Sequence, residues 1–258
     1  MAILTTLGFA LFCLQSIDGP SAQDWSIDSF RWSKAVPEGK PIIIKNVFGN
    51  IRTRFAENKT VELSASIQKH QKDPDRAHIS IELKEDALWI EVVFLPNPDQ
   101  KRDTAIAGMD RRRVDLTVFI PENSFVQLET VKGLIEAKGL KSDVEARSDR
   151  GDLHISTQGH ITARTQQGNI EVIFKREPST GPYRLETVWG DILIRFPKDT
   201  HATVHAATRG QITSDYSLEI KRGPKNRTKQ ATAVIGNGEQ RFDVKSEGGN
   251  LKLLSTIY

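Results

Sequence analysis

The sequence predicts an all-β chain wound as a solenoid whose coils are about 20 residues long. Three observations predict it. A motif of the form Thr/Ser-x-x-Gly-Asn/Asp-Ile/Leu-x-apolar recurs along the chain. Within each copy, apolar and polar residues alternate with a period of two, the signature of a half-buried strand. No helical pattern of useful length appears after the first 22 residues.

The clearest copy is Thr165-Gln-Gln-Gly168-Asn-Ile-Glu-Val-Ile-Phe174. Further copies centre on Gly49, Gly133, Gly151, Gly190 and Gly249, and Arg209-Gly210-Gln-Ile-Thr-Ser214 is a degraded one. From Gly133 the glycines advance by 18, 17, 22 and 20 residues. Two residues after them come Ile51, Ile135, Leu153, Ile170, Ile192, Ile212 and Leu251, which form an inward column if the coils stack. The next residue is polar in every copy except at Leu193. Glycine suits positive φ at a corner, and a neighbouring Asn or Asp tolerates a turn. One coil cannot bury its inner face alone, whereas stacked coils bury it continuously. Four residues before the glycines, Glu129, Arg147, Arg164 and Glu186 predict an outward ladder with opposite signs at its first and last steps. Glu136, His154 and Glu171 predict another.

Taken in order, residues 1–22 read as a secretory signal. Leu7–Leu14 is apolar but short for a membrane span, and cleavage near Ala22 follows a Pro-Ser-Ala ending. Cys13 is the only cysteine, so the exported chain has no disulfide or cysteine–zinc framework. Residues 23–124 form an N-terminal β region with long hairpins. Trp25–Ile44 reads as strand, turn, strand, and the first motif copy follows. Between Gly49 and Gly133, four longer strands are expected near Thr60–Ile67, His78–Leu83, Ala87–Phe94 and Val114–Ile120, paired antiparallel. Polar loops at Gln68–Ala77 and Pro96–Arg113 separate them, the second carrying Arg111-Arg-Arg113. Residues 125–258 hold the coils, a basic turn-rich insertion at Ile220–Gln230, a hairpin turn at Gly236-Asn-Gly238 and the last copy, expected to finish the stack. The two regions are expected to be one continuous domain. At 38% hydrophobic residues the chain can bury a substantial core. A formal charge of +3, well dispersed, argues against a nucleic-acid partner.

An apolar lead-in strand, Ile44-x-Asn46-x-x-Gly49-x-Ile51, a pair of long strands, Val114-Asp-Leu-Thr-Val-x-Ile-Pro121 and the repeated Thr-x-x-Gly-Asn/Asp-Ile units together resemble the bacterial putative-adhesin family of β-strand-repeat proteins. That family is of unknown function and is related to the head domain of putative auto-transporter adhesins. The resemblance covers about residues 25–257. It implies a right-handed, single-stranded β-solenoid at the bacterial envelope and brings no catalytic residues with it. The expected role is non-enzymatic: an exported adhesin or scaffold in the periplasm, at the cell surface or secreted, with no span in the exported chain. The partner classes left open are another envelope protein and a surface glycan. A carbohydrate-active enzyme on the same fold and an accessory in envelope-stress signalling are the alternatives.

No residue set reads as catalytic, cofactor-binding or metal-binding. Asp152, Asn169 and Asp191 follow glycines on consecutive coils and could face a cation or a sugar. Turn chemistry explains them more simply, because calcium needs about six to eight oxygens. Arg150-Gly151-Asp152 spells an integrin-binding tripeptide, but the repeat already requires its glycine. His201 and His205 lie about 13 Å apart if their segment is a strand, too far to share an ion. Arg147, Arg164, Asp152 and Asp191 could be arranged as a lyase or hydrolase site, yet ladder pairing accounts for them. Trp189, at a corner, either stacks on a sugar ring or packs on the next coil. No Gly-x-Ser-x-Gly, His-Glu-x-x-His or phosphate-loop motif occurs.

Overall fold

The computed structural model describes residues 25–70, 75–96, 112–179, 181–222 and 228–256. The expected leader with Cys13, most of the loop carrying Arg111, and positions 223–227 of the basic insertion lie outside them. The described residues form 21 strands and no helix, in one sheet of ten strands and one of eleven.

The motif explains the middle of the molecule. Strand β8 (Phe125–Lys132) lies in the eleven-stranded sheet, the chain turns at Gly133, and β9 (Ile135–Leu140) lies in the ten-stranded one. The same step repeats at β10 (Asp143–Arg150) and β11 (Leu153–Thr157), at β12 (Ile161–Gln167) and β13 (Ile170–Ile173), and at β14 (Pro182–Trp189) and β15 (Ile192–Phe196). Every pairing between these successive units is parallel. Each unit therefore contributes two strands, one on either side of the glycine.

Register places the inward column as the repeat requires. Ile135 pairs with Leu153, Leu153 with Ile170, and Ile170 with Ile192, and all four side chains are buried. Glu136, His154 and Glu171 alternate with them and face outward. Between the sheets the core is aliphatic around Ile44, Leu116 and Leu128. It becomes aromatic where Phe174, Tyr183, Phe196 and Phe242 pack edge-to-face and stacked. Burial pushes the Tyr183 phenol up from its ordinary pKa, and its hydroxyl donates to the Ser179 carbonyl at 2.9 Å.

The two ends depart from simple winding. Next to β8 and β9 stack β2 (Ile42–Phe48) and β3 (Ile51–Phe55). Outside these come β6 (Leu88–Pro96) and β7 (Arg113–Ile120), and both pair in parallel. These two were expected in antiparallel hairpins. They do take antiparallel partners, but only on their outer sides. There β4 (Thr60–His70) pairs with β7, β1 (Trp25–Ala35) with β4, and β5 (Asp75–Leu83) with β6.

At the other end the chain leaves sequence order. Strands β16 (Ala202–Thr208) and β17 (Ile212–Ser214) surround the degraded glycine. The last unit, β20 (Gln240–Ser246) and β21 (Leu251–Ser255), does not finish the stack. It lies between β14/β15 and β16/β17, parallel to both. Strand β21 offers β15 five paired positions, where β17 spans only three residues. The better-formed copy thus occupies the inner place. Strands β19 (Lys229–Ile235) and β18 (Leu218–Arg222) cover that end of the larger sheet in antiparallel fashion. Among the described residues, no helix is long and apolar enough to cross a membrane.

Candidate functional site

The corner glycines form one column. A Cβ at Gly151 would land on the carbonyl oxygen of Gly133, one at Gly168 on that of Gly151, and one at Gly190 on that of Gly168. Gly249 meets Gly190 in the same way, Gly210 meets Gly249, and Gly133 meets Gly49. Backbone strain is not the shared reason for glycine, since Gly151, Gly210 and Gly249 have no positive φ. Close approach of successive backbones is.

The flanking motif residues serve the same contact. Thr165 donates its hydroxyl to the Gly151 carbonyl at 3.0 Å, Thr187 to that of Gly168 at 3.0 Å, and Ser246 to that of Gly190 at 2.8 Å. Ser148 holds the equivalent place, but its buried hydroxyl has no partner among the described residues. One residue past the glycine, Asp152 Oδ1 accepts the Asn169 N–H at 2.7 Å and Asn169 Oδ1 accepts that of Asp191 at 2.8 Å. Asp191 Oδ1 then accepts the Asn250 N–H at 2.7 Å, and Asn250 Oδ1 that of Gln211 at 2.9 Å. Each carboxylate or amide joins its coil to the next.

This geometry assigns the other candidates. In Arg150-Gly151-Asp152 the aspartate is tied to Asn169 and the glycine sits in the column, so the tripeptide is not a free loop tip. His201 Nδ1 accepts the Asn237 N–H at 3.0 Å, while His205 faces outward beside Asp243. Among the described residues, no group of three or more His, Cys, Asp or Glu side chains is arranged to hold a metal. The Trp189 ring lies against Gly248, where a Cβ would meet its carbons, yet 63% of the residue remains exposed. The packing on the neighbouring coil is thus present, with most of the ring face left open to solvent.

The outer face of the eleven-stranded sheet carries a dense set of polar groups open to solvent. Three depressions of about 430, 320 and 470 Å³ lie there in one line. The first two share Arg147 and Asp149, and the second and third share Glu186 and Lys245. Together they make a trough across nine neighbouring strands, from β6 to β19. At about 4.8 Å between strands it is roughly 38 Å long.

Ion pairs line the trough. Lys45 meets Glu129 at 3.3 Å, Arg164 meets Glu186 at 3.1 Å, Arg241 meets Asp243 at 3.2 Å and Lys245 meets Glu247 at 3.1 Å. The expected Arg164–Glu186 step of the ladder is present. The expected Glu129–Arg147 step is redirected: the two are neighbours in register, but Glu129 takes Lys45 and Arg147 takes Glu145. Lys45 and Lys245 escaped the sequence reading, although each stands four residues before a motif glycine. Their membership of this row depends on where their coils stack, which the motif does not encode. On the opposite sheet, burial pushes the Glu136 carboxyl up. Lys138, at 2.6 Å, and Arg54 more than reverse this and hold it below its ordinary pKa.

The solved structures similar to this chain include a putative cell adhesion protein from Clostridium sporogenes. It is 12% identical, with 89% of this chain and 100% of that one covered at a TM-score of 0.45. A putative adhesin from Bacteroides fragilis is 13% identical over 88% of this chain and 97% of its own, at a TM-score of 0.32. Another from Parabacteroides distasonis is 9% identical, covering 88% and 97%, at 0.27. Among curated proteins none matches. The Toastrack DUF4097 family model matches residues 125–254, half of the chain and the same stretch that carries the glycine column from Gly133 onward. The protein belongs to the Toastrack DUF4097 family.

Proposed function

We propose that this is an exported, non-enzymatic protein of the bacterial cell envelope that works as an adhesin-like binding surface. One observation carries the reading. Asp152, Asn169 and Asp191, which could have faced a cation or a sugar, are committed with Thr165 and Thr187 to backbone groups of the adjacent coil. What faces solvent is a long, shallow, ion-paired trough rather than an enclosed pocket with a perturbed acid or base. Such a surface suits a large partner met over many small contacts.

The winding fits this role. Parallel strands joined through a strand in the opposite sheet favour a right-handed crossover, so the solenoid winds right-handed. It forms a rigid body on which a face can be displayed. Residues 1–22 supply the export signal, with the exported chain beginning near Gln23 and continuous from there to its last coil.

Fractionation of the native host, N-terminal sequencing and a whole-cell binding assay test the proposal together. The expected result is a product beginning near Gln23 in the envelope or medium. The purified protein should bind cells, and Arg147→Ala in the trough should weaken that binding. A cytoplasmic product with Met1 intact contradicts export. Binding indifferent to every trough variant contradicts the surface.

A further inference from the structure

We propose that the trough on the eleven-stranded sheet binds an extended, uncharged polysaccharide lying along the stack axis. The proposal rests on reading that face as the binding surface, and it names the ligand class.

Charge argues first. Lys45, Arg147, Arg164, Arg184, Arg241 and Lys245 line the trough, as do Glu91, Glu129, Asp149, Glu186, Asp243 and Glu247. Six positive groups meet six negative ones, and Glu145, the partner of Arg147, stands beside them, so the lining carries no excess of cations although the whole chain carries +3. A nucleic acid or an acidic polymer needs an excess of cations to bind by phosphate or carboxylate neutralisation. None exists here. A neutral ligand loses nothing to long-range repulsion of either sign.

Hydrogen-bonding capacity argues second. The trough crosses the strands over the face of the sheet, where backbone N–H and C=O groups pair with neighbouring strands. A peptide that binds a sheet by strand addition needs an open edge, not this face. What the face offers is side chains alone: guanidinium, ammonium, carboxylate and the Gln166 and Gln230 amides, repeated from strand to strand. Hydroxyl groups both donate and accept, so a sugar polymer can meet ionised donors and acceptors alike with charge-assisted bonds. The ion pairs are partly exposed, so their unused lone pairs and N–H groups remain within reach.

Shape argues third. The trough is long and open, matched to a chain of sugar rings and not to one small molecule. Val47 and Val131, 41% and 42% exposed, stand with Val188 along one side and offer apolar contact to the C–H faces of the rings.

The test is calorimetric titration of the full chain with linear uncharged oligosaccharides from dimers to octamers. Cello- and chito-oligomers serve as probes, with polygalacturonate, heparin and an extended peptide library beside them. Affinity should rise with oligomer length while successive strands are engaged. Arg147→Ala and Gln166→Ala should each weaken it roughly tenfold or more while the melting temperature holds. Glu171→Lys, on the other sheet, should leave binding unchanged. Preference for the acidic polymers or for peptides, affinity independent of length, or no binding of any uncharged oligomer overturns the proposal. Cell binding lost in Arg147→Ala while every uncharged oligomer fails overturns the ligand class alone and leaves the binding-surface reading standing. If the trough variants alter neither, both fail.

Discussion

The middle of the stack and its C-terminal end use the same motif and obey it differently. From β10 to β15 each coil lies beside the one that precedes it in sequence. Beyond β15, the coil of Gly249 displaces the coil of Gly210 from the inner place. The bonds are the same in both regions: a hydroxyl to a glycine carbonyl, and an Asp or Asn oxygen to the next backbone N–H. The motif therefore specifies how two coils dock but not which two. Sequence order decides where connections are short. Strand length and completeness decide where a longer excursion, here β18 and β19, lets the chain return.

This contrast can be broken first at the inward column. Ile170 is fully buried in the middle, whereas Ile212, in the same column, is only half-buried at the end. Ile170→Asp buries a carboxylate with no partner and should cost several kcal/mol, on the order of a domain's whole stability. Ile212→Asp should cost clearly less, and Glu171→Lys, one residue from Ile170 and facing outward, less than about 1 kcal/mol. Chemical denaturation of the three variants measures the order. Equal losses at Ile170 and Ile212 would mean that the two regions pack alike.

A smaller effect separates two hydroxyls within the middle. Thr187→Val leaves the part-buried Gly168 carbonyl without its side-chain donor and should cost about 1 kcal/mol. Ser148→Ala removes a buried hydroxyl without a partner among the described residues, so stability should stay level or rise. Unfolding midpoints would sharpen the comparison by showing which copies of the motif hold their neighbours through this bond.

The smallest expected effect concerns pH. Because Glu136 has a lowered folded pKa, its contribution is present above the unfolded carboxylate value of about 4.3. It is lost as pH falls through the folded value. Glu136→Gln should therefore narrow its stability gap to the parent protein in acid. A gap that widens on acidification would reverse the sign of this assignment.

The column itself was legible in the sequence because alternation and spacing are local. Leu153, Ile170 and Ile192 could be aligned without any knowledge of tertiary structure. The strand before each glycine was harder to see, since Glu129-Thr-Val-Lys132 and Arg147-Ser-Asp-Arg150 are largely polar on their outer face. The turn reading of Asp152 and Asp191 pointed the right way, but their partner is the next coil rather than their own turn. Positive φ was expected at every corner and holds at only some, because the decisive constraint is a neighbour far away in sequence. The trough could not be read at all. It depends on Lys45, Arg147 and Lys245 sharing a row, and that row exists only once the coils are stacked in their true order.

The central claim is that backbones pack directly on one another at the glycine column, and Gly168→Ala tests it most directly. Its Cβ would strike the Gly151 carbonyl, which belongs to a coil held on both sides and has no room to yield. Equilibrium denaturation of Gly168→Ala beside Gly210→Ala, the last glycine of the column, is the measurement. Gly168→Ala should lose about 4 kcal/mol or more, the range reserved for steric failure in a packed interior, and Gly210→Ala distinctly less. A Gly168→Ala protein with the parent's midpoint and slope would contradict the account.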